Sequence, residues 1–380
     1  MGKWERLLFS AEFLTPGEIV KENAVELLAN TGTMLSLRNL FADLEGNEYK
    51  LMLARFKDQG IEQNFIPWPM LDVVDGYYAN EMTVEKFSTL IKKTLDWYCD
   101  NNFEIPLGVL VDLEPSVDPR KASVAEKVRK GELKVEDVKK KEKKGFDMMS
   151  FAGQIIDGID ENVNPERFET AARKFGEMQD MMHEYGTQAI AVALPLAYED
   201  IYDGKLLIQD FMTCPVTNVD WDMINFMIFN VDYVHATRGL ITNEDYRHIL
   251  YSYGKEFVEK WGPEKASICL GVTTQGIQAV RPPQTDPELY RLECSALLAA
   301  GMENIGIYAL DGVLKQPDPE SWIKTVKQAK ASDFEVDPSK LEFAGHVRKL
   351  FQALDFISPV AHYLVKSGKI MDIIGMLSKL

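Results

Sequence analysis

The sequence predicts a single (β/α)₈ barrel, because eight short apolar segments alternate with longer amphipathic segments along its 380 residues. Each apolar segment has the length of a strand rather than a helix, and several are apolar almost throughout, as parallel strands covered on both faces are. No glycine-rich phosphate-binding motif follows any of them, which disfavours an open dinucleotide-binding sheet. The predicted strands are Leu7–Phe13, Thr33–Leu37, Asn64–Trp68, Leu107–Leu113, Ala189–Leu196, Ile224–Val231, Ala266–Val272 and Asn304–Leu310.

Helical patterns fill the intervals between these strands, as at Val84–Tyr98, Phe168–Tyr185 and Tyr290–Ala300, where Gly301 is a plausible stop signal. Two segments fall outside the repeating unit, and the whole chain, 1–380, is still interpreted as one domain. A charged helical insertion is predicted at 116–147, after the fourth strand, either as a solvated excursion or as a lid over the site. An amphipathic helical extension is predicted at 340–380, packed on the barrel rather than on a partner or a membrane.

The composition excludes several classes of function. A net charge of −17 argues against binding to nucleic acid or to anionic membranes, because both need a clustered basic surface. No segment reaches the roughly 18 apolar residues of a membrane span, and no secretory signal is recognised at the N-terminus. The four cysteines form no Cys-x-x-Cys pair, so we expect buried or structural thiols and a reduced, cytoplasmic protein without a cofactor. The oligomeric state stays open.

Asp112 and Glu114 are the strongest candidates for catalytic residues. In a barrel, functional side chains lie at the carboxyl ends of the strands, and this pair ends the uncharged run LGVLV of the fourth strand. The two-residue period of a strand places both side chains on one face. Like charges so close resist simultaneous ionisation, so one pKa should rise, which is what a general acid in glycoside cleavage requires.

The other strand ends carry carboxylates, amides and aromatic rings but few basic groups, a combination that suits a neutral sugar. The histidines do not have the spacing of zinc ligands, and no metal is assigned. A magnesium or calcium site remains open, because these ions need only oxygen ligands, which could come from Glu12, Asp72, Asp112 and Asp232. The predicted substrate-binding residues are Glu12, Trp68, Asn230, Asp232, Tyr233, Gln275, Tyr308 and Asp311.

The later strands resemble those of the chitinase-like family 18 glycoside hydrolases. The fourth-strand pattern DGxDxDxE of that family is matched by Gly108, Asp112 and Glu114, and its eighth-strand WALD by Tyr308 and Asp311 in YALD. The resemblance implies a barrel in which Glu114 is the catalytic acid and Asp112 its helper. The chain departs from the family pattern at Leu107 and Leu110, which replace acidic residues, at Phe229, which replaces a tyrosine, and in the third strand, FIPWP.

These observations predict a glycoside-hydrolase-like enzyme acting on an oligosaccharide or glycoconjugate. Glu114 would protonate the leaving oxygen, and Asp112 would tune Glu114. Three alternatives remain at this point. The first is a catalytically silent barrel that binds sugars, and the second is a metal-dependent lyase, aldolase or hydrolase that uses the ring of carboxylates. The third is a structural partner protein that uses the charged insertion and the C-terminal helix.

Overall fold

A computed structural model describes residues 6–115, 163–200, 206–235, 237, 239–274 and 283–349. The predicted insertion 116–147, Gln275 and the tail beyond residue 349 lie outside the described residues. Within the described ranges, no helix is long and apolar enough to cross a membrane.

Eight parallel strands form a nearly closed barrel with helices between them, which confirms the predicted fold. Neighbouring strands follow the order β3-β2-β1-β8-β7-β6-β5-β4. Ala79, in the segment after β3, bridges to Leu113 of β4 and brings the two ends of the sheet together. The strands are β1 (Arg6–Ala11), β2 (Met34–Asn39), β3 (Phe65–Pro69), β4 (Gly108–Leu113), β5 (Gln188–Ala193), β6 (Met223–Met227), β7 (Ala266–Gly271) and β8 (Asn304–Tyr308).

Helices cover the outside of the barrel, and several begin at an Asx–Pro pair. Asn164, Asp286 and Asp318 each accept a main-chain N–H of the first helical turn with the side chain, and a proline follows each of them at the first helical position. The helices are α1 (Pro16–Lys21), α2 (Ala24–Thr31), α3 (Phe41–Leu44), α4 (Asn47–Asp58), α5 (Val84–Asp100), α6 (Pro165–Glu184), α7 (Leu196–Glu199), α8 (Leu207–Phe211), α9 (Asn243–Trp261), α10 (Pro287–Ala299), α11 (Leu310–Val313) and α12 (Pro319–Val326).

Two apolar clusters follow from the alternation of side chains along each strand. The larger one lies between the sheet and the helices and takes outward residues such as Phe9, Leu35 and Val111. The smaller one contains the inward residues Leu8 and Leu110, with members from β2, β3, β5 and β6, and therefore fills the barrel interior. This interior cluster lies beneath the polar side chains at the carboxyl ends of the strands and supports them.

The helical residues 338–349 pack back onto the barrel, with Ala344 and Val347 buried in the outer cluster. Arg348 is the polar anchor of this segment, since it pairs with Glu199 and Glu256 and lies over the ring of Tyr253. The start of the predicted C-terminal extension is therefore in contact with the barrel.

Close packing at the end of β8 makes one glycine hard to replace. A Cβ on Gly312, in α11, would lie 2.2 Å from the main-chain oxygen of Thr273. We expect Gly312→Ala to lower the free energy of unfolding by about 1–3 kcal/mol, the usual cost of overpacking. The matched control is Gly176→Ala in α6, where no atom lies within 4 Å of the added Cβ. There alanine should stabilise the helix by up to about 1 kcal/mol. Denaturant unfolding measures both, and a Gly312→Ala protein as stable as wild type would contradict the close approach.

Candidate functional site

Three carboxyl groups meet at the carboxyl-terminal mouth of the barrel: Glu12, Asp112 and Glu114. Asp112 is the last inward residue of β4, two positions after the interior residue Leu110, and is 2% exposed. Glu114 follows two positions later and is half-buried, so it is the more accessible of the pair. Glu12 follows β1 directly and is buried as well.

Glu12 is held by hydroxyl donors from two other parts of the barrel. The Tyr77 hydroxyl, in the segment after β3, donates to Glu12 Oε1 at 3.3 Å, and the Tyr308 hydroxyl, at the end of β8, donates to Oε2. Arg38, at the end of β2, donates from Nε to the main-chain oxygen of Glu12 at 2.8 Å. β1, β2, β3 and β8 therefore all contribute to the environment of this one carboxylate.

Burial raises the pKa of all three carboxyl groups, but unequally. Burial and then the charge of Glu12 raise the pKa of Glu114 to about 7. The pKa of Asp112 lies well above its ordinary value because of burial and the charges of Glu114 and Glu12. The pKa of Glu12 is raised by burial, while hydrogen bonds from Tyr308 and Tyr77 and the charge of Arg38 oppose the rise.

These pKa shifts refine what the Asp-x-Glu pattern predicted for Asp112 and Glu114. The pKa of both members of the pair is raised, and Asp112 is the more deeply buried of the two. The charge that raises the pKa of Glu114 comes from Glu12, whereas the sequence pattern had suggested Asp112. The mouth thus combines a deeply buried Asp112, a Glu114 whose pKa is raised to about 7, and a Glu12 whose carboxyl oxygens accept hydrogen bonds from two tyrosines.

Aromatic rings surround the carboxyl groups. Tyr77 and Tyr78 contact each other edge to face, with ring centroids 4.9 Å apart, and Tyr308 stacks on Phe229 at 5.9 Å. Trp68, predicted as a stacking face for a sugar, is only 6% exposed and belongs to the interior cluster. Its Nε1 is buried and has no hydrogen-bond acceptor among the described residues.

Asp311 also lies near Glu12. Its Oδ1 accepts the main-chain N–H of Phe13 at 3.0 Å, and its charge contributes to the raised pKa of Glu12. Asp311 is 3% exposed and sits in α11, one turn beyond β8. It therefore supports the chain at Glu12 from the side of β8.

The predicted binding residues after β6 have other surroundings. The strand ends at Met227, four residues earlier than predicted from the apolar run to Val231, and residues Val231–His235 form a π-helical turn. Asn230 donates to Asn243 and Glu293 in the helical layer. Asp232 is exposed on the π-helical turn. Tyr233 is buried against Tyr246 of α9. Asn230 and Tyr233 thus have contacts in the helical layer.

Tyr77 and Tyr78 were missed by the sequence interpretation. They lie eight and nine residues after the end of β3, beyond the strand-end positions searched for chemistry. The available signal was the Tyr-Tyr pair itself, a bulky aromatic dipeptide in a segment that otherwise looks like a loop. Arg38 stands at a strand end, but only the structure shows its position beside Glu12.

The described residues contain no group of three or more His, Cys, Asp or Glu side chains with the spacing to hold a metal ion. Asp72 and Asp232, which the sequence offered as oxygen ligands together with Glu12 and Asp112, are both exposed. All four cysteines are free thiols, of which Cys99 is exposed and the others are buried.

No protein-family model and no curated protein matches the chain. Solved structures with a similar fold include the PgaB (BpsB) glycoside hydrolase domain from Bordetella bronchiseptica, 12% identical with a TM-score of 0.47 over 85% of this chain and 98% of that one. A family 1 β-glucosidase from Thermotoga maritima is 11% identical, with a TM-score of 0.44 over 82% and 88%. A mutant tryptophan synthase α-subunit from Pyrococcus furiosus is 12% identical, with a TM-score of 0.39 over 87% and 100%. Function depends on the side chains of a site rather than on the fold that carries them.

Proposed function

We propose that the protein is a glycoside hydrolase in which Glu114 is the general acid and Asp112 its helper. The observation that carries the proposal is a half-buried carboxyl at the barrel mouth whose pKa is raised to about 7. A general acid works best when its pKa lies near the working pH, because it is then protonated and still gives up its proton readily. The substrate would be an oligosaccharide or a glycoconjugate.

The surroundings of Glu114 fit this role. Asp112 is buried, and burial raises its pKa well above the ordinary value, which favours the neutral form that adds no second charge beside Glu114. Tyr78, whose own pKa is raised first by burial and then by the three carboxyl charges, adds an aromatic ring to the same mouth. Such rings pack against the apolar faces of sugars, while hydroxyl and carboxyl groups bind sugar hydroxyls.

A sugar-binding barrel without catalysis is the second candidate, and Phe229 favours it. This ring occupies the place of a tyrosine in the family that the sequence resembles, and it has no hydroxyl to offer a substrate. It stacks on Tyr308, so it offers a substrate an apolar surface and no hydrogen bond. Binding of a sugar to the wild-type protein without any cleavage would favour this candidate.

The pH dependence of cleavage tests the proposal. We expect the wild-type protein to hydrolyse at least one aryl glycoside from a panel of sugars and both anomers. Glu114 acts only when protonated, so kcat/KM should fall as the pH rises through about 7. Released phenol, followed from pH 5 to pH 9, gives the profile. Asp112→Asn should slow cleavage too, because it removes the carboxyl group that assists Glu114.

Sugar binding is measured in parallel by calorimetry. Wild-type protein that binds a sugar but cleaves none of the glycosides would be the silent barrel. Cleavage that stays constant or rises from pH 6 to pH 9 would contradict Glu114 as the acid, because its carboxylate form has no proton to donate.

A further inference from the structure

A general acid alone leaves the positive charge of glycoside cleavage without a counter-charge. As the bond to the leaving oxygen breaks, the anomeric carbon becomes oxocarbenium-like, and glycosidases place a second carboxyl group beside it. That group must be ionised while the acid is still protonated. The site described above contains two further carboxyl groups, Asp112 and Glu12, and the structure distinguishes between them.

Asp112 does not meet the requirement. It lies near the end of β4, two residues before Glu114, and is 2% exposed. Its Oδ1 is buried without a hydrogen-bond donor among the described residues. Burial raises the pKa of Asp112 well above its ordinary value, so this carboxyl group is poorly suited to supply the negative charge at the anomeric carbon.

Glu12 has the opposite environment. Both of its carboxyl oxygens accept hydrogen bonds from phenol hydroxyls, those of Tyr77 and Tyr308. The guanidinium of Arg38, fixed on the main-chain oxygen of Glu12, supplies a positive charge nearby. Burial raises the pKa of Glu12, but the two donors and the cation favour its ionised form, so of the three carboxyl groups Glu12 has the surroundings best suited to a carboxylate.

The positions of Glu12 and Glu114 in the barrel are also consistent with these two roles. β1 and β4 are separated in the barrel by β2 and β3, so Glu12 and Glu114 approach the mouth from different sides. They are nevertheless close enough for the charge of Glu12 to raise the pKa of Glu114. A sugar ring at the mouth can therefore have one carboxyl group at its leaving oxygen and the other at its anomeric carbon.

We propose, on the basis of the proposed function, that Glu12 is the carboxylate that stabilises the positive charge at the anomeric carbon, with Tyr77 and Tyr308 as its positioning residues. The bond between the anomeric carbon and the leaving oxygen breaks with its electron pair on the oxygen, which takes the proton of Glu114. Water then adds its oxygen to the anomeric carbon and returns a proton to the Glu114 carboxylate. Glu12 stays ionised throughout.

Leaving groups of different basicity separate the two roles. The substrates are the 2,4-dinitrophenyl and the phenyl glycosides of a sugar that the wild-type protein cleaves. Glu114→Gln should be slow on the phenyl glycoside but near wild type on the dinitrophenyl glycoside, whose leaving group needs no proton. Glu12→Gln should lose about 10²–10³ in kcat on both, because the charge at the anomeric carbon forms with either leaving group. Glu22→Gln, an exposed glutamate just after α1, is the matched control and should equal wild type.

The outcomes separate this inference from the proposed function. If the wild-type protein cleaves no glycoside, the proposed function fails and this inference fails with it. If the wild-type protein is active and Glu12→Gln keeps its kcat on both substrates, the proposed function stands and the role of Glu12 is overturned.

A second variant covers the case in which Glu12→Gln does not fold. Tyr308→Phe keeps the ring that stacks on Phe229 and removes only the hydroxyl that donates to Glu12. Losing that donor raises the pKa of Glu12, so the acid limb of kcat/KM should move to higher pH. An acid limb in the same place as in the wild-type protein would overturn the inference.

Discussion

Replacing Glu114 by Gln is expected to lower kcat on a glycoside with a poor leaving group by about 10²–10⁴, which is the usual contribution of a general acid. Gln keeps the size and hydrogen-bonding reach of Glu114 but has no acidic proton. The basic limb near pH 7 should disappear in the same variant, because the group that titrates there is gone. Initial rates on a phenyl glycoside, measured from pH 5 to pH 9, give both quantities.

Glu104→Gln is the matched control for this variant. Glu104 is exposed and precedes β4, at the opposite end of the strand from Glu114, so the same chemical change is made away from the barrel mouth. We expect wild-type rates and an unchanged basic limb. A Glu114→Gln protein that keeps most of its kcat on the phenyl glycoside would remove Glu114 from the mechanism and leave the barrel intact.

The largest expected effect on stability comes from Arg348. Its side chain is 4% exposed, and its Nε lies 3.2 Å from Oε1 of Glu199, whose side chain is fully buried. Arg348→Met keeps much of the apolar stem but leaves Glu199 buried without its guanidinium partner. Removing one member of a buried ion pair costs about 3–5 kcal/mol, and we expect the free energy of unfolding to fall by that amount.

Denaturant unfolding followed by circular dichroism measures this change. The control is Arg173→Met, which removes an exposed pair with Glu177 in which both side chains are 60% exposed or more. Exposed pairs contribute about 0–1 kcal/mol, so this variant should stay close to wild type. Equal stabilities for Arg348→Met and Arg173→Met would mean that the C-terminal helical segment is not anchored through Arg348.

The fold could be predicted because its determinants are local. Strand-length apolar runs and helix-length amphipathic runs alternate, and all eight predicted strands occur with modest changes at their ends. Helix starts could also be predicted, because pairs such as Asp286–Pro287 combine a capping side chain with a residue suited to the first turn. Gly301, expected to stop a helix, has a φ of 92° just beyond the end of α10.

Strand ends were harder to predict, because an apolar run continues past the last ladder hydrogen bond. Ile228 and Val231 are buried, so hydropathy alone extends β6 to Val231, although the strand ends at Met227. The predicted contributions of Asn230 and Tyr233 depended on that longer strand. Asp112 and Glu114 did not have this problem, because the predicted end of the fourth strand, Leu113, is also the observed end of β4.

The part of the site that could not be predicted depends on contacts between distant residues. Neither Tyr77 nor Tyr308 shows in sequence that its hydroxyl faces Glu12, since that depends on the closure of the barrel. The charge that acts on Glu114 was assigned to its sequence neighbour Asp112 for the same reason. The period of a strand shows which residues share a face, but not which residue lies across the barrel.

The pairing of β1 with β8 has a consequence for synthesis of the chain on the ribosome. Tyr308 reaches Glu12 across 296 positions of sequence, and it is held there because Ser10 of β1 pairs with Tyr308 of β8. A nascent chain exposes Glu12 long before it gains this hydroxyl donor, which lies 296 positions later in the sequence. Since a domain folds as a unit during translation, ribosome-bound chains that end before β8 should be unable to cleave substrate. Under the proposed function, cleavage would therefore require the complete barrel, in which the first and last strands are paired.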